Sequence, residues 1–380
     1  MSEYQYYEFQ AIDRPLTEED RDMLRALSSR GRVTATSFTN TYNHGDFRGD
    51  PVKLMERYFD LHLYLANWGA HRLMIRLPKR LIDTGMLDAC ARELDEVSVR
   101  DAGENLILDI NRGEIDAEDG DWSEEGDEGP GWLAGLAPLR ADVLGGDQRL
   151  FYLLWLMAVE NETFPEDTPE PLPGLGPLTG ALETFARFFD IDPDLVQAAA
   201  KRSAAVAIDP AAAGAIIAGM EDAGKTAWLT RLWDNDPHTG TELRREIGRR
   251  LAAMGETRPE APRRTVGELL ARAQEIGAER ERAEEKREAA EQARRAREAE
   301  GARQKRLTTI RQRGEYVWRD VETEIEYRNA SSYDKATVLL RDLREVAEQQ
   351  GTLADFKRRL AAIREQHVRK GRFLDRIADL

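Results

Sequence analysis

Residues 35–77 read ATSFTNTYNHGDFRGDPVKLMERYFDLHLYLANWGAHRLMIRL, and the fold turns on how this stretch is divided. Thr34, Thr36, Phe38 and the run Thr39–Tyr42 are β-branched or aromatic and lie between Gly31 and Gly45, a strand pattern. Asn43–Asp50 is a polar loop in which glycines permit positive φ and Asn and Asp side chains bond nearby backbone N–H groups. Asp50 followed by Pro51 predicts a helix start, with the acid as N-cap and the proline where its missing N–H costs nothing. Leu54, Tyr58, Leu61, Leu65 and Trp68 then recur at steps of three and four, the stripe of a helix packed on a sheet. Gly69 suits the helix stop, and His71–Leu77 reads as a buried strand ending at Pro78. The expected nucleus is strand–helix–strand.

Working outward, Tyr4–Ile12 reads as a first strand, and Thr17-Glu18-Glu19-Asp20 opens a helix through Met23, Leu24 and Leu27, its acids where the helix dipole favours them. Val97–Val99 and Leu106–Ile110 predict further strands. The expected fold class is α+β, residues 1–112 forming a mixed sheet with helices on one face, in a ferredoxin-like arrangement.

Residues 114–129 (EIDAEDGDWSEEGDEG) are acidic and almost without apolar content, so 113–130 reads as a disordered acidic linker. Asp116, Asp119 and Asp121 do not follow the EF-hand spacing, and calcium is not expected there. Residues 131–256 carry periodic Leu, Ile and Trp in successive segments and read as an all-α domain, interrupted by a Pro-rich loop at 165–177. In residues 265–313 the pattern changes. Arg280, Arg287 and Arg294 repeat every seven residues, each followed four positions later by Glu284, Glu291 or Glu298. Such pairs contribute ~0.3–0.5 kcal/mol each. A long charged helix follows, an exposed spacer in preference to a coiled coil because the seam offers only Ala283, Ala290 and Ile276. Residues 314–380 read as three short amphipathic helices in a small bundle.

Composition bounds function. The net charge of −16 over 380 residues disfavours a general nucleic-acid binder. No apolar run of about eighteen residues and no signal-peptide pattern occur, so no membrane association and a cytoplasmic protein are expected. The single Cys90 excludes an internal disulfide and zinc sites built on several cysteines, and reads as apolar filler. Gly219-Met-Glu-Asp-Ala-Gly224-Lys225-Thr226 matches the P-loop pattern, but the preceding AAAGAIIA suits a helix where the motif needs a strand, so no nucleotide is expected. His44, His62, His71, His238 and His367 show no metal-ligand spacing, and neither metal nor cofactor is expected. No nucleophile motif stands out, so an enzyme is not the favoured reading.

Two candidate sites remain. Asn40, Tyr42, Asn43, His44, Asp46 and Arg48 supply donors, acceptors and an anion contact ahead of a helix N-terminus, a candidate small-ligand or enzyme site in the head. Tyr333, Leu340, Phe356 and Phe373 are candidate partner-binding residues of the tail. The favoured function is a protein–protein interaction or scaffold protein docking a partner through that tail, with the head site as the alternative.

The segments YQYYEFQAIDRPLT, TSFTNTYNHGDFRGDP, LMERYFDLHLYLANWG and RLMIRLP resemble the opening of a family of uncharacterised bacterial cytosolic proteins. The resemblance implies no activity. Residues 333–377 are similar to a helical tail of bacterial SWIM zinc-finger proteins, which implies a shared docking element. With one cysteine this chain lacks the finger's ligands, so zinc is not implied.

Overall fold

The computed structural model describes residues 3–28, 30–82, 85, 87, 92, 94–113, 129–202, 210–254 and 262–380. Cys90 and most of the acidic segment 113–130 lie outside them. The chain divides into two compact units, Met1–Glu279 and Arg280–Leu380.

The first unit is built on a seven-stranded sheet. Its strands are β1 (Gln5–Gln10), β2 (Arg32–Val33), β3 (Ser37–Tyr42), β4 (Leu61–Ala66), β5 (His71–Pro78), β6 (Val97–Ala102) and β7 (Asn105–Arg112), in the spatial order β2-β3-β1-β4-β5-β7-β6. Every pairing is antiparallel, where a mixed sheet was expected. The order and the strand number also differ from a ferredoxin-like unit.

The larger correction is β4. The helix that Asp50 caps is α2 (Pro51–Arg57), with Asp50 Oδ1 accepting from Val52 N and Lys53 N at 3.0 and 3.3 Å. It ends at Arg57 instead of continuing to Trp68, and Leu61, Leu63 and Leu65 alternate along a strand that forms a hairpin with β5, Leu63 opposite Leu73. The same leucines satisfied both periods, and the two-residue period wins because it aligns them with Leu73, Ile75 and Leu77 and, beyond, with Leu108 and Ile110.

Both faces of the sheet are covered, not one. The leucine face packs on α3 (Trp132–Leu136), α4 (Pro138–Leu144), α5 (Arg149–Glu160), α6 (Gly180–Phe188) and α7 (Pro193–Ala200). Helix α5 is buried from Arg149 to Val159, which makes it the centre of that layer. The opposite face sets Phe9, Phe38, Met74 and Ile107 against Leu24 of α1 (Glu18–Leu27) and Leu54, Met55 and Phe59 in and after α2. Thr17 and Asp20 close a reciprocal capping box on α1. Because sheet and helices share one core, the stretches expected as separate domains, 1–112 and 131–256, belong to one unit. A helical segment of α8 (Pro210–Ala218), α9 (Asp222–Trp233) and α10 (Thr239–Ala253) completes it.

Helix α11 (Val266–Arg313) contributes to both units. In the first, Val266, Leu269, Ala273 and Ile276 enter the leucine-face core, so the start of this helix is packed instead of free. Arg264 fixes that start: its guanidinium and backbone N–H bond Glu170, which is fully buried, and it also donates to the carbonyls of Ala198 and Ala199. In the second unit, residues 280–306 of α11 are exposed. Of the expected heptad pairs, Arg294–Glu298 stand 4.0 Å apart, while Glu291 pairs with Arg295 instead of Arg287.

The rest of the second unit is α12 (Glu315–Glu326), α13 (Ala330–Gln350), α14 (Leu353–Gln366) and α15 (Gly371–Arg376). Leu307 and Ile310 of α11 join Val317, Val321, Ile325, Leu340, Leu360 and Phe373 in a single core. Gly351 ends α13 at φ +72°, a left-handed turn that a side chain would strain.

Candidate functional site

The head loop forms against β1. Phe47 folds back onto the sheet, its ring 5.0 Å from Tyr7 and 6.0 Å from Phe38, because the loop's one large apolar side chain is drawn to the aromatic face. Asn40 is buried and its Nδ2 donates to Tyr42 Oη at 2.7 Å, while its Oδ1 has no partner. Gln5 Nε2 donates to Asp46 Oδ1 at 3.3 Å. Asn43, His44 and Arg48 are exposed. The fold therefore brings Asn40 and Tyr42 together and ties Asp46 to β1, and it leaves the other three facing solvent. His62, on the same sheet face, stacks on Phe9 at 4.0 Å and bonds Glu8 O through Nδ1. Burial lowers its pKa to about 3, so it is a neutral interior group.

A second polar cluster is largely interior, with Asp60, Arg76, Arg140 and His238 buried and Asp13 partly so. Asp60 Oδ2 accepts from Ile12 N and Asp13 N, and its Oδ1 accepts from Arg76 Nε and Nη2. Arg140 makes a bidentate pair with Asp13 at 2.8 and 2.7 Å and donates to Arg76 O. His238 Nε2 stands 3.3 Å from Asp13 Oδ2. Burial acts to raise the Asp13 carboxyl, and the hydrogen bonds from His238 and Arg140 outweigh it, holding that group well below the usual carboxylate range. Each strong acceptor here is used by the fold, joining the β1–α1 link, β5, α4 and the turn before α10.

The P-loop match lies in helices. Gly219 follows α8, Glu221 precedes α9, and Lys225 sits in α9 with its Nζ 3.4 Å from Asp222. The element directly before it is helix α8, where the motif needs a strand. Among the described residues no group of three or more His, Cys, Asp or Glu side chains could hold a metal ion, and no helix is long and apolar enough to cross a membrane.

The expected partner-binding residues of the tail need correction. Tyr333, Leu340, Phe356 and Phe373 are all interior, from 0 to 8 % exposed, and form the core of the second unit. A bundle this small needs its largest apolar side chains to hold itself together. The widest of its surface depressions among the described residues is a groove of about 760 Å³ between the end of α11, α12 and the first half of α13. Ile310 and Leu339 form its apolar lining, and Val338 and Tyr327 stand 45 and 63 % exposed on its walls. Thr323 and Asn329 explain the shape locally: Thr323 bonds back to Arg319 O within α12, and Asn329 caps α13 by accepting from Ser332 N, so the turn closes one end.

Acids sit deep in this groove. Asp342 is 3 % exposed; Arg306 Nη2 donates to its Oδ1 at 2.7 Å, and its Oδ2 has no partner. Burial raises the Asp342 carboxyl, with Arg306 acting the other way. Glu324 Oε2 is likewise buried and without a partner. Basic groups lie outward: Arg313 pairs with Asp320 at 2.6 Å, and Lys335 is exposed at the rim. Sequence reasoning missed Asp342, although an acid inside the run Val338-Leu339-Leu340-Arg341-Asp342-Leu343 was the available signal. Compared with known family models, with curated proteins and with solved structures, the chain matches none of them.

Proposed function

We propose that this chain is a non-catalytic interaction protein that docks a protein partner through its C-terminal helical unit, along the groove between α11, α12 and α13. The observation that carries this reading is the pair of apolar side chains, Val338 and Tyr327, left 45 and 63 % exposed on the walls of one groove. An amphipathic helix laid into such a groove buries its apolar stripe against them. The test places a photo-crosslinking residue at position 338 of the full chain, and a control at Arg358, exposed on α14. A partner captured at 338 and not at 358, and lost in a Tyr327→Glu background, agrees with docking here. Equal capture at both positions overturns it.

A second reading rests on the buried Asn40 Oδ1 beside Tyr42, an acceptor that a small ligand in the head could use. Under it, Asn40→Leu abolishes stabilisation of the first unit by that ligand in a metabolite screen. An unchanged melting profile across the screen removes this reading.

A further inference from the structure

Resting on that docking reading, we infer that the groove's occupant is an amphipathic helix carrying a basic side chain, arginine or lysine, on its inward face, seated between Asp342 and Glu324. Two buried carboxylate oxygens in one groove, Asp342 Oδ2 and Glu324 Oε2, receive no donor from this chain. Buried acceptors are nearly always matched, and a carboxylate is matched best by a charged donor, which forms the shorter and stronger bond. Arg306 already serves one oxygen of Asp342, and its own side chain is half-exposed, so it is able to swing outward as a second cation arrives. The arrangement of charge also selects an orientation. Unmatched acceptors lie inside, whereas Lys335 stands at the rim. A partner helix with its basic residue among the apolar positions, and an acid on its outer edge, fits both. Ile310, Val338 and Leu339 take the flanking apolar side chains.

The experiment uses the full chain and fluorescence anisotropy with labelled amphipathic helical peptides of roughly 18 residues, spaced to present one leucine stripe. Four versions carry Arg, Lys, Gln or Glu at the central position bordering the stripe. The Arg and Lys peptides are expected to bind at least about tenfold tighter than the Gln peptide, with the Glu peptide weakest. Glu324→Gln and Asp342→Asn are each expected to shrink that preference. Glu324 is only partly buried, so its variant keeps the test open if Asp342→Asn does not fold. Equal binding of the Arg and Gln peptides, both lost in Val338→Arg, overturns the basic anchor and leaves docking standing. Binding untouched by Val338→Arg, or no binding by any peptide, overturns both. Self-association of the unliganded chain that Val338→Arg abolishes makes a second copy the occupant, and also overturns the inference.

Discussion

Replacing Asp60 by Asn is the sharpest probe of the first unit. Asp60 is fully buried and its two oxygens accept from Ile12 N at 2.6 Å, Asp13 N at 2.9 Å, and Arg76 at 3.1 and 2.7 Å. Asn has the same shape, but one oxygen becomes an amide that can only donate. It must then face either two backbone N–H groups or the Arg76 guanidinium. In either orientation Arg76, itself buried, loses the negative charge that compensates it. Removing one partner of a buried ion pair costs about 3–5 kcal/mol. At ~1.4 kcal/mol per factor of ten, opening of the sheet becomes roughly 100- to 4,000-fold more frequent. Amide hydrogen exchange read by mass spectrometry resolves this by segment, with peptides from β4 and β5 accelerating by that factor. Peptides from α13, in the other unit, serve as the internal control. Acceleration below about tenfold in β4 and β5 would refute the view that Asp60 neutralises Arg76. A useful companion is Asp60→Leu combined with Arg76→Met, which removes both charges and is expected to be milder than Asp60→Asn alone.

Two further outcomes are expected. Leu340, fully buried in the second unit's core, should lose about 2–5 kcal/mol as Leu340→Ala, with faster exchange from Val317 to Phe373 and none in β4; a loss spread over both units would contradict the two-unit division. The Glu160 carboxyl is pushed up to about 7, chiefly by burial. An acid harder to ionise in the folded chain contributes its stability below its unfolded value of 4.5 and loses it as pH rises through about 7. Glu160→Gln should therefore flatten the stability profile across that window, and parallel profiles for the two proteins would count against the assignment.

Much of the fold was legible in residues whose local chemistry allows one answer. Asp50-Pro51 and Thr17–Asp20 start helices where expected, and the strands follow from an aromatic run at β1 and from short Leu, Ile and Met runs at β5 and β7. The misreading fell on Leu61–Trp68, where leucines at alternate positions also met a helical spacing. Only pairing with β5, a long-range fact, decides between them. Asp60 was the local warning, since an acid before three leucines suits a strand end that a buried arginine answers. The candidate sites were less legible. Aromatic residues on an amphipathic helix mark the face that is buried, and sequence does not say whether a partner or the protein's own core buries it. For Tyr333 and Phe373 it is the core. The groove arises from three helices meeting around Asp342, a geometry with no local pattern.

The leucine-face core draws on residues from Tyr6 to Ile276. During synthesis this spread becomes a delay. Once β7 has emerged, the core waits for more than a hundred and fifty further residues before α11 adds Val266, Leu269, Ala273 and Ile276, roughly 10–30 s at ordinary ribosomal rates. The layer of α3 to α7 is complete about ninety residues after β7, and until then a leucine-lined surface stands open to other chains, so the nascent protein is a natural client for holding chaperones. Slowing translation downstream of β7 should lower the yield of folded protein, while the second unit, whose core is local in sequence, folds soon after its own residues emerge.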